Sequence, residues 1–195
     1  MKTRYISWDE ALGYKKDELE YAAGVLREGG LVAFPTETVY GLGGNGLMKE
    51  ASVKIYEAKG RPSDNPLTLH ISSRQELEPI VRGITPEAEA LMEAFWPGPM
   101  TLIFQKAPEV PLETTGGLET VAVRMPSHAG ARELIRQAGV PVAAPSANTS
   151  GRPSPTRAEH VKEDLDGKID VIIDGGQVGI GIESTIIDLT EDVPV

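Results

Sequence analysis

Leu31-Val32-Ala33-Phe34-Pro35-Thr36-Glu37-Thr38-Val39-Tyr40-Gly41-Leu42-Gly43-Gly44-Asn45-Gly46 is the stretch on which the fold turns. Its first four residues form a continuous apolar run, the pattern of a strand buried on both faces. Gly41, Gly43 and Gly46 then match G-x-G-x-x-G. In a dinucleotide-binding βαβ unit that fingerprint comes straight off the strand and opens a helix. Here six residues, Pro35 to Tyr40, intervene after Phe34. A Rossmann unit is therefore rejected, and the glycines are expected to permit a tight loop beside a ligand pocket.

Working outward, short apolar runs alternate with helical periodicity. Beside Leu31 to Phe34, strands are expected at Leu67 to Ile71, Met100 to Phe104, Val121 to Met125, Val140 to Ala144, Val171 to Ile173 and Thr185 to Leu189. Asp17 with Glu20 has capping-box spacing ahead of a helix that Gly29-Gly30 stops. Leu47, Ala51 and Ile55 mark one face of a second helix ending near Lys59-Gly60. Ser73 with Glu76 and Thr156 with Glu159 repeat the capping box, and Pro86 after Thr85 suits a first helical position. Ser127 opens a helix closed by Gly139. Seven strands interleaved with helices predict an α/β domain, and the turn-rich loops favour a mixed sheet over a simple βαβ repeat.

The chain has 195 residues, enough for one domain that buries about 70% of its unfolded surface without a staple. It carries 19 Lys and Arg against 29 Asp and Glu, a net charge of −10. That balance disfavours stable nucleic-acid binding and anionic membrane surfaces. No Cys is present, which removes thiolate chemistry and Cys-ligated metals. The first ten residues lack the apolar core of a signal peptide, and no run has the length of a membrane helix, so a cytoplasmic protein is expected.

Charge is unevenly spread. From Thr120 to Arg157 there are five arginines and one acid, +4 in 38 residues, leaving −14 elsewhere. Arg132 and Arg136 read as a solvated helix face. Arg124 does not, because it follows Val121-Ala122-Val123 on a strand expected to be buried; it needs either an internal carboxylate or a ligand. Lys59-Gly60-Arg61-Pro62-Ser63-Asp64-Asn65-Pro66 joins a helix end to a proline-stiffened turn. The helix dipole explains Lys59 well but not Arg61 beyond the glycine or the flanking prolines, so the cluster reads either as an ordinary helix end or as a phosphate site. Ala144 to Thr156 supplies hydroxyls and amides after a strand, suited either to phosphate oxygens or to ordinary turns. No P-loop, H-E-x-x-H or G-x-S-x-G occurs, and His70, His128 and His160 lie apart; His70, inside a strand, is the one of interest and no metal site is expected.

Taken in order, Pro35 to Gly43, Lys59-Gly60-Arg61-Pro62 with Asn65-Pro66-Leu67, Trp96-Pro97-Gly98-Pro99-Met100-Thr101, Val123-Arg124-Met125-Pro126 and Pro145-Ser146-Ala147-Asn148-Thr149-Ser150-Gly151 resemble the YrdC-type threonylcarbamoyl-AMP synthases over about residues 15 to 190. The resemblance implies a twisted mixed sheet flanked by helices around a large concave, positively lined cavity. It implies formation of threonylcarbamoyl-adenylate and pyrophosphate from L-threonine, bicarbonate and ATP, with Mg2+ accompanying the ATP. The product would be handed to the tRNA threonylcarbamoyl-transferase complex. Carried over by position, Arg61, Asn65, Thr120, Ser146 and Ser154 would contact ATP, with Lys59 and Asn148 completing the signature motifs. Thr38, His70, Arg124, Ala144 and Ser184 would line the threonine pocket. Lys59 and Arg61 are expected to neutralise the triphosphate, since two anions must meet and fixed cations serve that better than a proton shuttle. Competing readings are an RNA-binding module on the same concave surface and a carbamoyl-phosphate-handling domain of the hydrogenase-maturation type. Family members normally continue beyond the Asp188-Leu189 strand with a further ATP-contacting arginine, and longer ones carry a linker and second domain, so these 195 residues are expected to be the catalytic domain alone.

Overall fold

A computed structural model describes residues 2–8, 15–191 and 193–195. Among them lies one nine-stranded mixed sheet. The strands in chain order are β1 (Arg4–Ser7), β2 (Val32–Pro35), β3 (Tyr40–Asn45), β4 (Thr68–His70), β5 (Met100–Gln105), β6 (Thr120–Arg124), β7 (Val142–Ala143), β8 (Val171–Asp174) and β9 (Thr185–Asp188). Across the sheet they run β1-β8-β2-β3-β7-β4-β6-β5-β9. The pairs β1–β8, β8–β2, β4–β6 and β5–β9 are parallel, and the others are antiparallel. The helices are α1 (Lys16–Arg27), α2 (Lys49–Lys59), α3 (Pro86–Phe95), α4 (Ala129–Ala138) and α5 (Ala158–Leu165).

The expected mixed sheet is present, with two strands the sequence reading omits. One is β1, where only Ile6 is buried. The other is β3, which replaces the expected glycine loop. Gly41, Gly43 and Gly44 sit inside a fully buried strand antiparallel to β2. Gly43 is required by close approach: a Cβ there would lie 2.8 Å from the Phe34 ring and 2.9 Å from Val142 Cγ1. Gly43→Ala is expected to cost about 1–3 kcal/mol by overpacking, read as a lower urea midpoint at unchanged slope.

Helix ends follow the sequence in part. Thr85 Oγ1 accepts from the Ala88 amide, with Pro86 at the first helical position. Gly60 and Gly139 close α2 and α4 in the left-handed conformation that favours glycine. Asp17 does not cap α1, whose N-cap is Lys15 without a side-chain bond. Ser127 is replaced at the cap of α4 by His128, whose Nδ1 accepts from the Ala131 amide. At α5 the cap position is Arg157, without a side-chain bond, and Ser73 with Glu76 yields only a single 3-10 turn over Arg74–Glu76.

Period-two alternation assigns the core to two faces. Val32, Phe34, Val171 and Ile173 pack with Leu19, Ala22, Ala23 and Leu26 of α1 and Ala131, Leu134, Ile135 and Ala138 of α4. Ala33, Ile172, Leu69, Val123 and Leu102 face the other way, against Ile55 and Tyr56 of α2, Met92 of α3 and Val161 of α5. His70 is registered with Val142, so it belongs to the α1/α4 face. At β4, β6, β5 and β9 that face becomes the floor of a cavity.

Candidate active site

The floor is set by register. His70 pairs with Arg124, Arg124 with Thr101 and Thr101 with Ile186, forming one row across four strands. Thr68, Ala122 and Ile103 form a second row beside it. All seven line a cavity of about 280 Å³. Its walls come from the β2–β3 turn (Thr36, Thr38, Val39), the segment after α2 (Arg61, Asn65, Pro66), the segment after β7 (Ala144, Pro145, Ser146), and Glu183 with Ser184 before β9.

Arg124 is 4% exposed and has an internal carboxylate partner, Glu37. Its Nη2 donates to Glu37 Oε1 at 2.5 Å, Nη1 to Thr38 Oγ1 at 3.0 Å, and Nε to the Gly98 carbonyl at 3.2 Å. A guanidinium has five N–H groups, so one remains on each Nη for a ligand. The hydroxyl protons are fixed by elimination. Thr36 Oγ1 donates to the Val39 carbonyl at 2.6 Å, so Thr38 Oγ1, 3.0 Å away, donates to Thr36 and accepts from Arg124. Burial pushes the Glu37 carboxyl up, but the charge and hydrogen bond of Arg124 bring it below its ordinary value. Glu37 is therefore ionised at neutral pH. Glu37 is absent from the residues expected for the site. Its signal is that it is the sole charged residue from Leu31 to Met48, in an otherwise apolar and glycine-rich stretch.

His70 is 4% exposed beside this pair. Burial, and secondarily the Arg124 charge, push its imidazole down to about 3, so it is neutral at physiological pH. Its Nδ1 lies 3.4 Å from the Thr68 carbonyl. A carbonyl only accepts, so this contact calls for Nδ1–H and leaves Nε2 as an acceptor. Thr101 Oγ1 and Ser184 Oγ lie 2.7 Å apart, on the other side of Arg124 from His70 in the same row.

At the other end, Arg61 Nη2 donates to Asn65 Oδ1 at 2.6 Å and to the Pro66 carbonyl at 2.9 Å. Burial lowers the Arg61 guanidinium somewhat, without threatening its charge. Ser154 Oγ donates to Glu183 Oε1 at 2.7 Å on the rim. Thr120 shares the strand face of Ala122 and Arg124 but lies beyond the cavity lining.

Of the twelve residues expected for the site, Thr38, Arg61, Asn65, His70, Arg124, Ala144, Ser146 and Ser184 line this one cavity. Lys59 and Asn148 do not. Lys59 is 1% exposed, and its Nζ donates to the main-chain carbonyls of Ser146 and, at 2.7 Å, of Asn148. The ammonium expected on the triphosphate is thus bonded to main-chain carbonyls and is not part of the cavity lining. Asn148 Nδ2 donates to the carbonyls of Thr149 at 2.9 Å and Arg152 at 2.8 Å, bracing its own loop.

The cavity thus offers a buried arginine fork at one end and a half-buried cation with amide and hydroxyl groups at the other. Residues 24–195 match the Sua5/YciO/YrdC family signature, described as "Telomere recombination". The chain belongs to the Sua5/YciO/YrdC family. It is 60% identical over 178 residues to the threonylcarbamoyl-AMP synthase of Pyrococcus abyssi, covering 91% of this chain and 52% of that one. It is 52% identical over 198 residues to the threonylcarbamoyl-AMP synthase of Bacillus subtilis, covering 100% of this chain and 57% of the other. The chain therefore spans about half the length of these curated relatives. Among solved structures, P. abyssi Sua5 complexed with L-threonine superimposes with a TM-score of 0.96 at 56% identity, over 98% of this chain and 56% of that one. The twisted mixed sheet of the family is the architecture described above. Among the described residues no helix is long and apolar enough to cross a membrane.

Proposed function

We propose that this cavity forms L-threonylcarbamoyl-adenylate and pyrophosphate from L-threonine, bicarbonate and ATP. The observation that carries the reading is the division of one cavity into two ends of different chemistry: the Arg124 fork with neutral His70, and Arg61 with Asn65 and Ser146. A relative with 56% identity was solved with L-threonine, which supports an amino acid at the first end.

The threonine carboxylate takes the two free N–H groups of Arg124, held from behind by Glu37. Its neutral amine donates to His70 Nε2, and its hydroxyl meets the Thr101–Ser184 pair. The neutral amine adds to the carbon of bicarbonate; the C–O bond to its hydroxyl breaks, that hydroxide leaves as water with one proton of the amine, and a carbamate anion results. A carbamate oxygen then attacks the α-phosphorus of ATP as the bond to pyrophosphate breaks. Threonine, bicarbonate and ATP thus give the adenylate, pyrophosphate and one water. Arg61 offsets the triphosphate charge and positions the leaving group. Mg2+ would enter with the nucleotide, and Glu183, the one acid lining the cavity among the described residues, would be the side chain to hold it. Bound there, the ion would neutralise charge on the phosphate oxygens. Thr38 and Ala144 shape the threonine end, while Thr120 and Ser154 extend the nucleotide end toward solvent. The adenylate would pass to the complex that modifies tRNA.

The test is pyrophosphate release from Mg·ATP by the 195-residue chain, with and without L-threonine and bicarbonate, and mass spectrometry of the product. Release needing both co-substrates, with the adduct detected, is expected. Arg61→Ala is expected to lower it by about a hundredfold, the scale of one preorganised charge donor. Release independent of threonine would overturn the assignment. RNA binding with steep salt dependence and no release would favour a binding surface instead.

A further inference from the structure

We propose that Lys59 is a positioning residue: its ammonium is the internal cation around which the 146–152 loop folds, and it does not touch the nucleotide. The second half rests on the nucleotide reading of the cavity; the first stands on the loop itself.

Lys59 is the last residue of α2, and Gly60 turns the chain away at φ +60°. The side chain runs back under the loop to the carbonyls of Ser146 and Asn148, and the main-chain carbonyl of Lys59 accepts from the Ser150 amide at 2.8 Å. The Asp164 carboxylate accepts from the Thr149 amide of the same loop at 2.8 Å and from Arg152 Nη1. The loop is therefore held by a buried cation and a buried anion. Two inward-facing carbonyls would repel each other, and one ammonium satisfies both. Ser146 is on the cavity wall while its carbonyl is drawn back to Lys59, so the ammonium aims a residue it does not share a surface with. Arg61, two residues on, is on the wall. The two cations of the K-x-R motif thus have different partners: Lys59 is bonded to the loop main chain, and Arg61 lines the cavity. Burial, followed by the Arg61 charge, pulls the Lys59 ammonium down to about 8, which still leaves it mostly cationic at neutral pH.

Hydrogen exchange in the nucleotide-free protein tests the first half. Lys59→Ala is expected to speed exchange of the Thr149, Ser150 and Arg152 amides by about 10- to 100-fold. Propylammonium, which supplies the three carbons and the ammonium that alanine lacks, should slow it again. Arg61→Ala should leave it unchanged. Calorimetry tests the second half: Lys59→Ala is expected to raise the Kd for ATP and for AMP by the same factor, whereas Arg61→Ala raises that for ATP at least about tenfold more. Unaltered loop exchange in Lys59→Ala, or a loss selective for ATP, would overturn the proposal. Should the variant not fold, the Nζ resonance of Lys59 in the wild-type protein decides. It should not move on adding Mg·ATP, and a displacement seen with ATP but not AMP would place the ammonium on phosphate. Wild-type titration with ATP reports separately on the nucleotide reading: no binding there ends that reading without touching the exchange result.

Discussion

Arg124→Met is expected to abolish measurable L-threonine binding and to lower stability by about 3–5 kcal/mol, the cost of breaking a buried ion pair by removing one partner. Three acceptors lose their donor at once: Glu37 Oε1, Thr38 Oγ1 and the Gly98 carbonyl. Glu37 is the costly one, because its side chain is only 14% exposed and the cation that keeps it ionised is gone. Arg124→Lys does not rescue. A single ammonium cannot serve three directions and still offer two parallel donors to a ligand carboxylate. The two losses separate in the double variant Arg124→Met/Glu37→Gln. Removing both charges should return most of the stability in urea denaturation, because no buried charge is left unpaired. Threonine binding, read by calorimetry, should stay lost. Recovery of binding together with stability would mean that Arg124 only props the fold, and the carboxylate would need another partner.

That pair also marks where the sequence is informative and where it is not. Arg124 is legible as an anomaly, a cation ending an apolar strand, and a partner or ligand is demanded by its type alone. The partner is not legible, since Glu37 is 87 residues away and only the order of nine strands brings β2's turn over β6. Lys59 is a similar case. Its position at a helix end suits any cation, and the carbonyls it holds lie 87 and 89 residues on. The fold divides the same way. Strands β2, β5, β6 and β8 announce themselves by apolar runs. Strand β3 does not, because three of its six residues are glycines that local propensity assigns to a loop. They are glycines because Phe34 and Val142 press on Gly43, and Ile55 and Leu31 on Gly44. Tertiary packing chose the residue type there, so the residue type misleads about the local structure. Strand β1 is missed for a different reason: one buried side chain in four residues carries no periodic signal, and its pairing with β8 supplies the order.

His70→Asn is expected to flatten the dependence of stability on pH between about 8 and 5. In the folded protein His70 is held neutral down to about 3, by burial first and the Arg124 charge second. In the unfolded chain the same imidazole takes its proton near 6.5. Between those values the unfolded state binds more protons, so stability rises with pH there. The contribution is complete above about 6.5 and is lost as pH falls toward the folded value, to an extent of roughly 5 kcal/mol if the site stays dry. Glu37 acts in the same direction, because its folded carboxyl titrates below its ordinary value, but its effect begins only in the carboxylate range. The difference between the urea midpoints of the two proteins from pH 8 to pH 5 therefore isolates His70, because His128 and His160 are common to both. The wild-type midpoint should fall more steeply over that interval than that of the Asn variant. Asparagine retains a donor for the Thr68 carbonyl and an acceptor for the cavity, so the comparison changes the titration more than the packing. Parallel curves for the two proteins would show that His70 gains its proton without strain, and that the imidazole is not the neutral acceptor the threonine amine requires.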